Sequence, residues 1–189
     1  MPRTTVPQPP RNPTYRRPPT EAEILDAALA LVDAGGPEAG TVRRIAAALA
    51  APANAVYRIF PDRAAIFSAL FDRLLGEVDE AAAGRGDRAG QGDWAAQVEA
   101  LALTLRDRLT AHPGAVPLLM TVPLTGPNAA RLGERVHDLM ARAGLPAADA
   151  GRAAQVVTVY VFGAITRGAT AEDFRWGLRR VLGGLSVPT

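Results

Sequence analysis

The stretch T41-V-R-R-I-A-A-A-L-A-A-P-A-N-A-V-Y-R-I-F60 decides the reading of this chain. It holds two short helical patterns with a break between them. Val42, Ile45, Ala46 and Leu49 recur at helical spacing behind Thr41, an N-cap residue type. Ala50-Ala51-Pro52 then interrupts the pattern. A second segment runs from about Ala53 to Ile59 and stops at Phe60-Pro61. Helices this short are marginal in water, so packing of Val56 and Phe60 has to hold the second one in place. Its other face carries Asn54, Tyr57 and Arg58. A polar tip, an aromatic hydroxyl and a cation suit a helix presented to a nucleic-acid groove.

The flanks read as helices too. Upstream, Thr20 and Glu23 form a capping box ahead of Ile24, Leu25, Ala28, Leu29 and Val32, and Gly35-Gly36-Pro37 ends the run. Downstream, Asp62 is placed to cap a helix carrying Ile66, Ala69, Leu70 and Leu74. Residues 84–92 contain four glycines and read as a flexible loop; with no G-x-x-x-x-G-K-[ST] pattern, they do not make a phosphate cradle. Asp93 opens a further helix with Val98, Leu101, Leu105 and Leu109 on one face. A short apolar segment, Val116 to Val122, precedes a helix starting at Pro127 and ending at Gly144. Pro146 begins a long helix through Val156, Val157, Val159 and Ile165, apolar on most sides and therefore expected to be buried nearly all round. Thr170 caps a last helix, which Gly183-Gly184 is expected to end. No segment alternates like a strand, so the fold class is all-α.

Composition narrows the function classes. The 189 residues include no cysteine, which excludes disulfides and thiolate metal sites and suits a cytoplasmic protein. No apolar run approaches the ~20 residues that span a bilayer, so no membrane role is expected. All 21 basic residues are arginine, and the net charge is +2. That excess lies within residues 1–63, a footprint for a polyanionic partner. His112 and His137 are the only histidines. They are too few for a zinc site, and no catalytic ordering of serine, histidine and aspartate is legible, so neither enzyme activity nor a cofactor is implied.

The segments I24-L-D-A-A-L-A-L, T41-V-R-R-I-A-A-A-L and V56-Y-R-I-F-P-D-R63 together resemble the DNA-binding domain of the tetracycline-repressor family. The resemblance covers residues 20–75 closely. The pattern beyond, with a His-Pro, a G-P-N run and G-L-P-A-A-D-A before a long apolar helix, is similar to the ligand-binding half of one branch of that family. It implies that Thr41 and the start of its helix meet the DNA backbone. Tyr57 and Arg63 correspond to a phosphate-contacting tyrosine and basic residue. Ala53, Asn54 and Arg58 match positions facing base edges or backbone, and Arg43 matches a position that can reach a base. Two departures stand out. Ala50 occupies the place of the usual turn glycine, and Ile59 that of a common histidine.

The resulting expectation is an N-terminal helix-turn-helix domain followed by a helical body. Residues 1–19, with seven prolines and Arg3, Arg11, Arg16 and Arg17, form a basic disordered arm. Residues 20–63 are the DNA-binding domain, 64–92 a connecting helix and glycine-rich loop, and 93–189 the ligand-binding and dimerisation domain. Candidate pocket residues are Trp94, His112, Met120, Thr121, Gln155, Thr158, Tyr160 and Phe162. Val157, Val161 and Ile165 define one stripe of the long helix; Ala154, Phe162 and Leu178 are expected to face a partner copy. The function expected is a DNA-binding transcriptional repressor, a homodimer released from a palindromic operator by a small-molecule effector. A DNA-binding regulator without an effector is the alternative. From another class, the alternative is a helical enzyme or lipid carrier with a vestigial head.

Overall fold

A computed structural model describes residues 17–86 and 93–185. Arg3, Arg11 and Arg16 of the expected arm, and residues 87–92 of the glycine-rich stretch, lie outside the described residues. The described chain is all-α. Its helices are α1 (Glu21–Gly35), α2 (Val42–Ala48), α3 (Ala53–Tyr57), α4 (Arg63–Gly86), α5 (Trp94–Thr110), α6 (Pro127–Ala141), α7 (Ala147–Thr166) and α8 (Ala171–Leu185).

Side-chain caps set where most of these helices begin. The Thr20 hydroxyl accepts from the Glu23 amide at 3.3 Å, and the Glu23 carboxylate accepts from the Thr20 amide at 2.8 Å. That backbone donor, reinforced by Arg17, holds the Glu23 carboxyl below its ordinary pKa. Thr41, Asp62, Asp93 and Thr170 cap α2, α4, α5 and α8 in the same way, each accepting from the amide three residues on. The apolar stripes behind these caps merge into one continuous buried core, from Ile24 on α1 to Leu182 on α8.

Helix α4 belongs to both halves of the molecule. It packs on α1 in the head and on α5 and α6 in the body. Polar contacts reinforce the junction. Arg73 on α4 pairs with Asp26 on α1 at 2.8 Å, and the Ser68 hydroxyl donates to the Pro123 carbonyl at 2.6 Å. Asp72 caps a helix that is not its own: its carboxylate accepts from the amides of Asn128 and Ala129 at the start of α6, at 3.0 and 2.8 Å, and from the Asn128 side chain. On the opposite side, His112 Nδ1 lies 2.7 Å from Asp33 Oδ2 at the end of α1. Beside this pair Gly114 backs onto the chain: a Cβ there would sit 1.9 Å from the Val32 carbonyl oxygen.

Four expectations are corrected. Helix α8 does not stop at Gly183-Gly184 but continues to Leu185; each helical glycine costs about 1 kcal/mol, and burial of Phe174, Leu178 and Leu182 outweighs it. Helix α7 is not buried all round. Val157, Val161 and Ile165 are in the core as expected, but Val156 and Val159 are 49% and 60% exposed. Leu178 is fully buried within the protomer and so is not free to face a partner, while Phe162, half-buried, lines the space between α4, α5, α6 and α7. The expected loop also begins later than the sequence implied, because α4 runs through Gly84 to Gly86.

Candidate nucleic-acid interface and the body cavity

Helix α3 is only five residues long, and its buried side explains how it persists. Ala55 and Val56 are buried, and Phe60 just beyond the helix is 7% exposed, so together they hold it in the core beside α2. The other side is left to solvent. Asn54, Tyr57 and Arg58 are exposed, Tyr57 by 53%. Pro52 stands at the N-cap without a side-chain hydrogen bond, so Asn54 is not consumed as a cap. Ala53 is half-buried against the core. Arg43 and Arg44 on α2 are exposed and, like Arg58, make no ion pair among the described residues. The Thr41 hydroxyl, exposed at the start of α2, accepts from the Arg44 amide.

The turn between α2 and α3 is made without glycine. Ala50 takes φ +49°, the only positive φ at a non-glycine residue among those described. A Cβ in that conformation costs about 1–2 kcal/mol. The Ala51 amide donates to the Ala46 carbonyl at 2.9 Å and closes the helix end.

Arg63 does more than the resemblance implied. Its Nε donates to the Gly40 carbonyl at 2.9 Å and its Nη2 to the Pro37 carbonyl at 2.6 Å. The guanidinium lies 5.0 Å from the centre of the Phe67 ring. Arg63 therefore ties the first turn of α4 to the connection before Thr41. Gly40 is needed there, since a Cβ would come 2.5 Å from Phe67 Cζ. The sequence alone did not single out Gly40, Phe67, Asp72 or the Asp33–His112 pair. Each depends on a contact far along the chain.

Between α4, α5, α6 and α7 the body leaves a cavity of about 250 Å³ that is partly open to solvent. Of the expected pocket residues, Thr158 and Phe162 line it. The other six do not. His112 is engaged by Asp33, and the Thr121 hydroxyl donates to the Leu118 carbonyl. Met120 is 66% exposed and Gln155 faces solvent. Trp94 packs against the core at the start of α5. The Tyr160 hydroxyl donates to the Phe174 carbonyl at 2.9 Å, in a seat that Gly177 leaves open. Burial raises the pKa of that phenol.

An exposed three-helix head joined to a hollow helical body agrees with what known proteins show. Residues 24–70 match the family described as "Bacterial regulatory proteins, tetR family", and residues 87–179 match "Tetracyclin repressor-like, C-terminal domain". An HTH-type transcriptional regulator of Saccharopolyspora erythraea is 31% identical over 169 residues, 82% of this chain and 69% of that one. The chain belongs to the tetR family. Within that family, the HTH-type transcriptional repressor DrrR1 of Streptomyces coeruleorubidus is 28% identical over 75% of this chain, which spans 50% of its length. The crystal structure of Mycobacterium smegmatis BioQ superposes with a TM-score of 0.75 at 25% identity, covering 88% of this chain and 98% of that one. The tetR-family chain described here is accordingly a transcriptional regulator with an N-terminal helix-turn-helix. No helix among its described residues is long and apolar enough to cross a membrane.

Proposed function

We propose that this regulator acts in the cytoplasm as a homodimeric repressor that leaves a palindromic operator when a small molecule enters the body. The observation that carries the reading is the outward face of α3. An aromatic hydroxyl at Tyr57, an amide at Asn54 and a guanidinium at Arg58 stand exposed on a helix whose other side is locked into the core. In this reading Thr41, Tyr57 and Arg63 meet phosphates, with Arg63 using the donors left over from Pro37 and Gly40. Asn54 and Arg43 reach base edges, while Ala53 and Arg58 lie against the groove wall. A five-residue helix contacts few bases, so a two-fold pair of heads reading a palindrome supplies the missing contact. Val156 and Val159 on α7 and Trp176 on α8 are the exposed apolar residues suited to the partner. The repressor name of the DrrR1 relative supports the sign of the regulation.

Release follows from the part α4 plays. Leu75 on α4 lines the cavity, while Arg63 at the start of the same helix holds the connection before Thr41. A ligand that displaces α4 changes the separation of the two heads, and heads out of step with successive major grooves lose one half-site.

The test is duplex binding by fluorescence anisotropy across a salt series. Each neutralised phosphate contributes about −0.9 to the slope of log K against log salt. A slope of about −3 or steeper is expected for two heads. A flat response between low and physiological salt would remove nucleic acid from the function.

A further inference from the structure

The cavity's walls indicate the chemistry of the molecule it takes. This inference rests on the effector reading above and narrows it. Among the described residues fourteen line the space, and of these only Thr158 has a polar side chain and none is ionisable. A carboxylate, phosphate or ammonium set against these walls would give up hydration with no counter-charge among them, a large unfavourable term. The Thr158 hydroxyl already donates to the Ala154 carbonyl at 2.9 Å. Its proton is therefore spoken for within α7, but its oxygen still has lone pairs to offer. The one polar contact the cavity can make is thus acceptance from a donor on the ligand. Size gives a second indication. An apolar cavity of about 150 Å³ holds benzene, and the space here, about 250 Å³ and partly open to solvent, accommodates a second ring.

We propose that the effector is an uncharged, mainly apolar molecule of about two fused rings with one hydroxyl or N–H donor, which it presents to Thr158 Oγ1.

Isothermal titration of the full chain at neutral pH with 1-naphthol, naphthalene and 1-naphthoate tests this. Naphthol is expected to bind about 3–10-fold more tightly than naphthalene, the value of one neutral hydrogen bond. Naphthoate, of nearly the same shape but anionic, is expected to bind more than about 10-fold more weakly than naphthol. Thr158→Val should abolish the preference for naphthol and leave naphthalene affinity unchanged. Naphthoate binding as tightly as naphthol, a naphthol preference that survives Thr158→Val, or no binding by any probe would each overturn the proposal. Duplex binding measured on the same preparation separates the two readings. Salt-dependent DNA binding without naphthol binding refutes the effector class alone, and the reverse pattern refutes the DNA reading alone.

Discussion

The head and the body of this protein spend the same residue types on opposite ends. In the head, small and branched side chains seal α1, α2 and α3 into the core: Ile24, Ala28, Val32, Ile45 and Val56 are all fully buried, while Asn54, Tyr57 and Arg58 are turned outward. In the body, longer helices with equally apolar faces stop short of one another and leave a cavity of about 250 Å³ lined by Leu, Val, Ala and Phe. The sealed part offers its surface for recognition, and the hollow part offers its interior. A tight core has no low-energy deformation, whereas a space between helices can be filled or emptied with a shift of its walls. Tight packing and open space are thereby allotted to different segments of one chain, with α4 common to both.

Gly114→Ala should break this arrangement most severely. The added Cβ would meet the backbone of α1, which cannot rotate away, so a loss of about 3 kcal/mol is expected in urea unfolding. A midpoint equal to wild type would mean that body and head are not in fixed contact at Val32. Arg63→Ala is next. It removes two charge-assisted hydrogen bonds from a partly buried group and should cost about 2 kcal/mol of stability while weakening binding to specific and random duplexes alike. If stability held and only DNA binding fell, Arg63 would be a phosphate contact with no bracing role.

Asn54→Ala sharpens the contrast from the other side. It should leave thermal unfolding unchanged and reduce affinity for the operator by about 1–3 kcal/mol, relaxing one base position. Equal losses on operator and random DNA would take base reading away from Asn54. The smallest effect is a gain. Ala50→Gly relieves a positive-φ alanine at about 1–2 kcal/mol and gives back part of that as unfolded-state entropy, so the unfolding midpoint should rise by the equivalent of about 0.5–1 kcal/mol. A lower midpoint would show that the turn carries no strain.

What could be read in the sequence is what the chain decides locally. The Thr20–Glu23 capping box, the caps at Thr41, Asp62, Asp93 and Thr170, and the buried Val56 and Phe60 all depend on neighbours within a few residues. The exposed face of α3 follows from the same short-range pattern. Pocket residues obey no such pattern. Thr158 and Phe162 reach the cavity, while Tyr160, two positions from each, turns to a backbone carbonyl on α8. Periodicity sorts a helix into faces, but only the placement of its neighbours tells which face meets a void. Leu178, expected to face a partner copy, illustrates the same point: α8 presses it into its own protomer. The two glycines near the end of α8 misled for a simpler reason, since propensity yields to a buried stripe.

Asp72 gives the linkage between the halves an all-or-none quality. A carboxylate on one helix serves as the N-cap of another and accepts three hydrogen bonds at once. Such bonds weaken steeply with misalignment, so α4 cannot slide by a fraction of a turn past α6 and keep them. Either the cap is seated or it is lost, and with it the satisfaction of two amides at the start of α6. Intermediate positions of α4 are therefore the poorly populated ones. If an effector acts on α4 as proposed, a molecule lodged beside Leu75 would tip the helix between a fastened state and a released one, and a graded chemical signal would be read out as a switch.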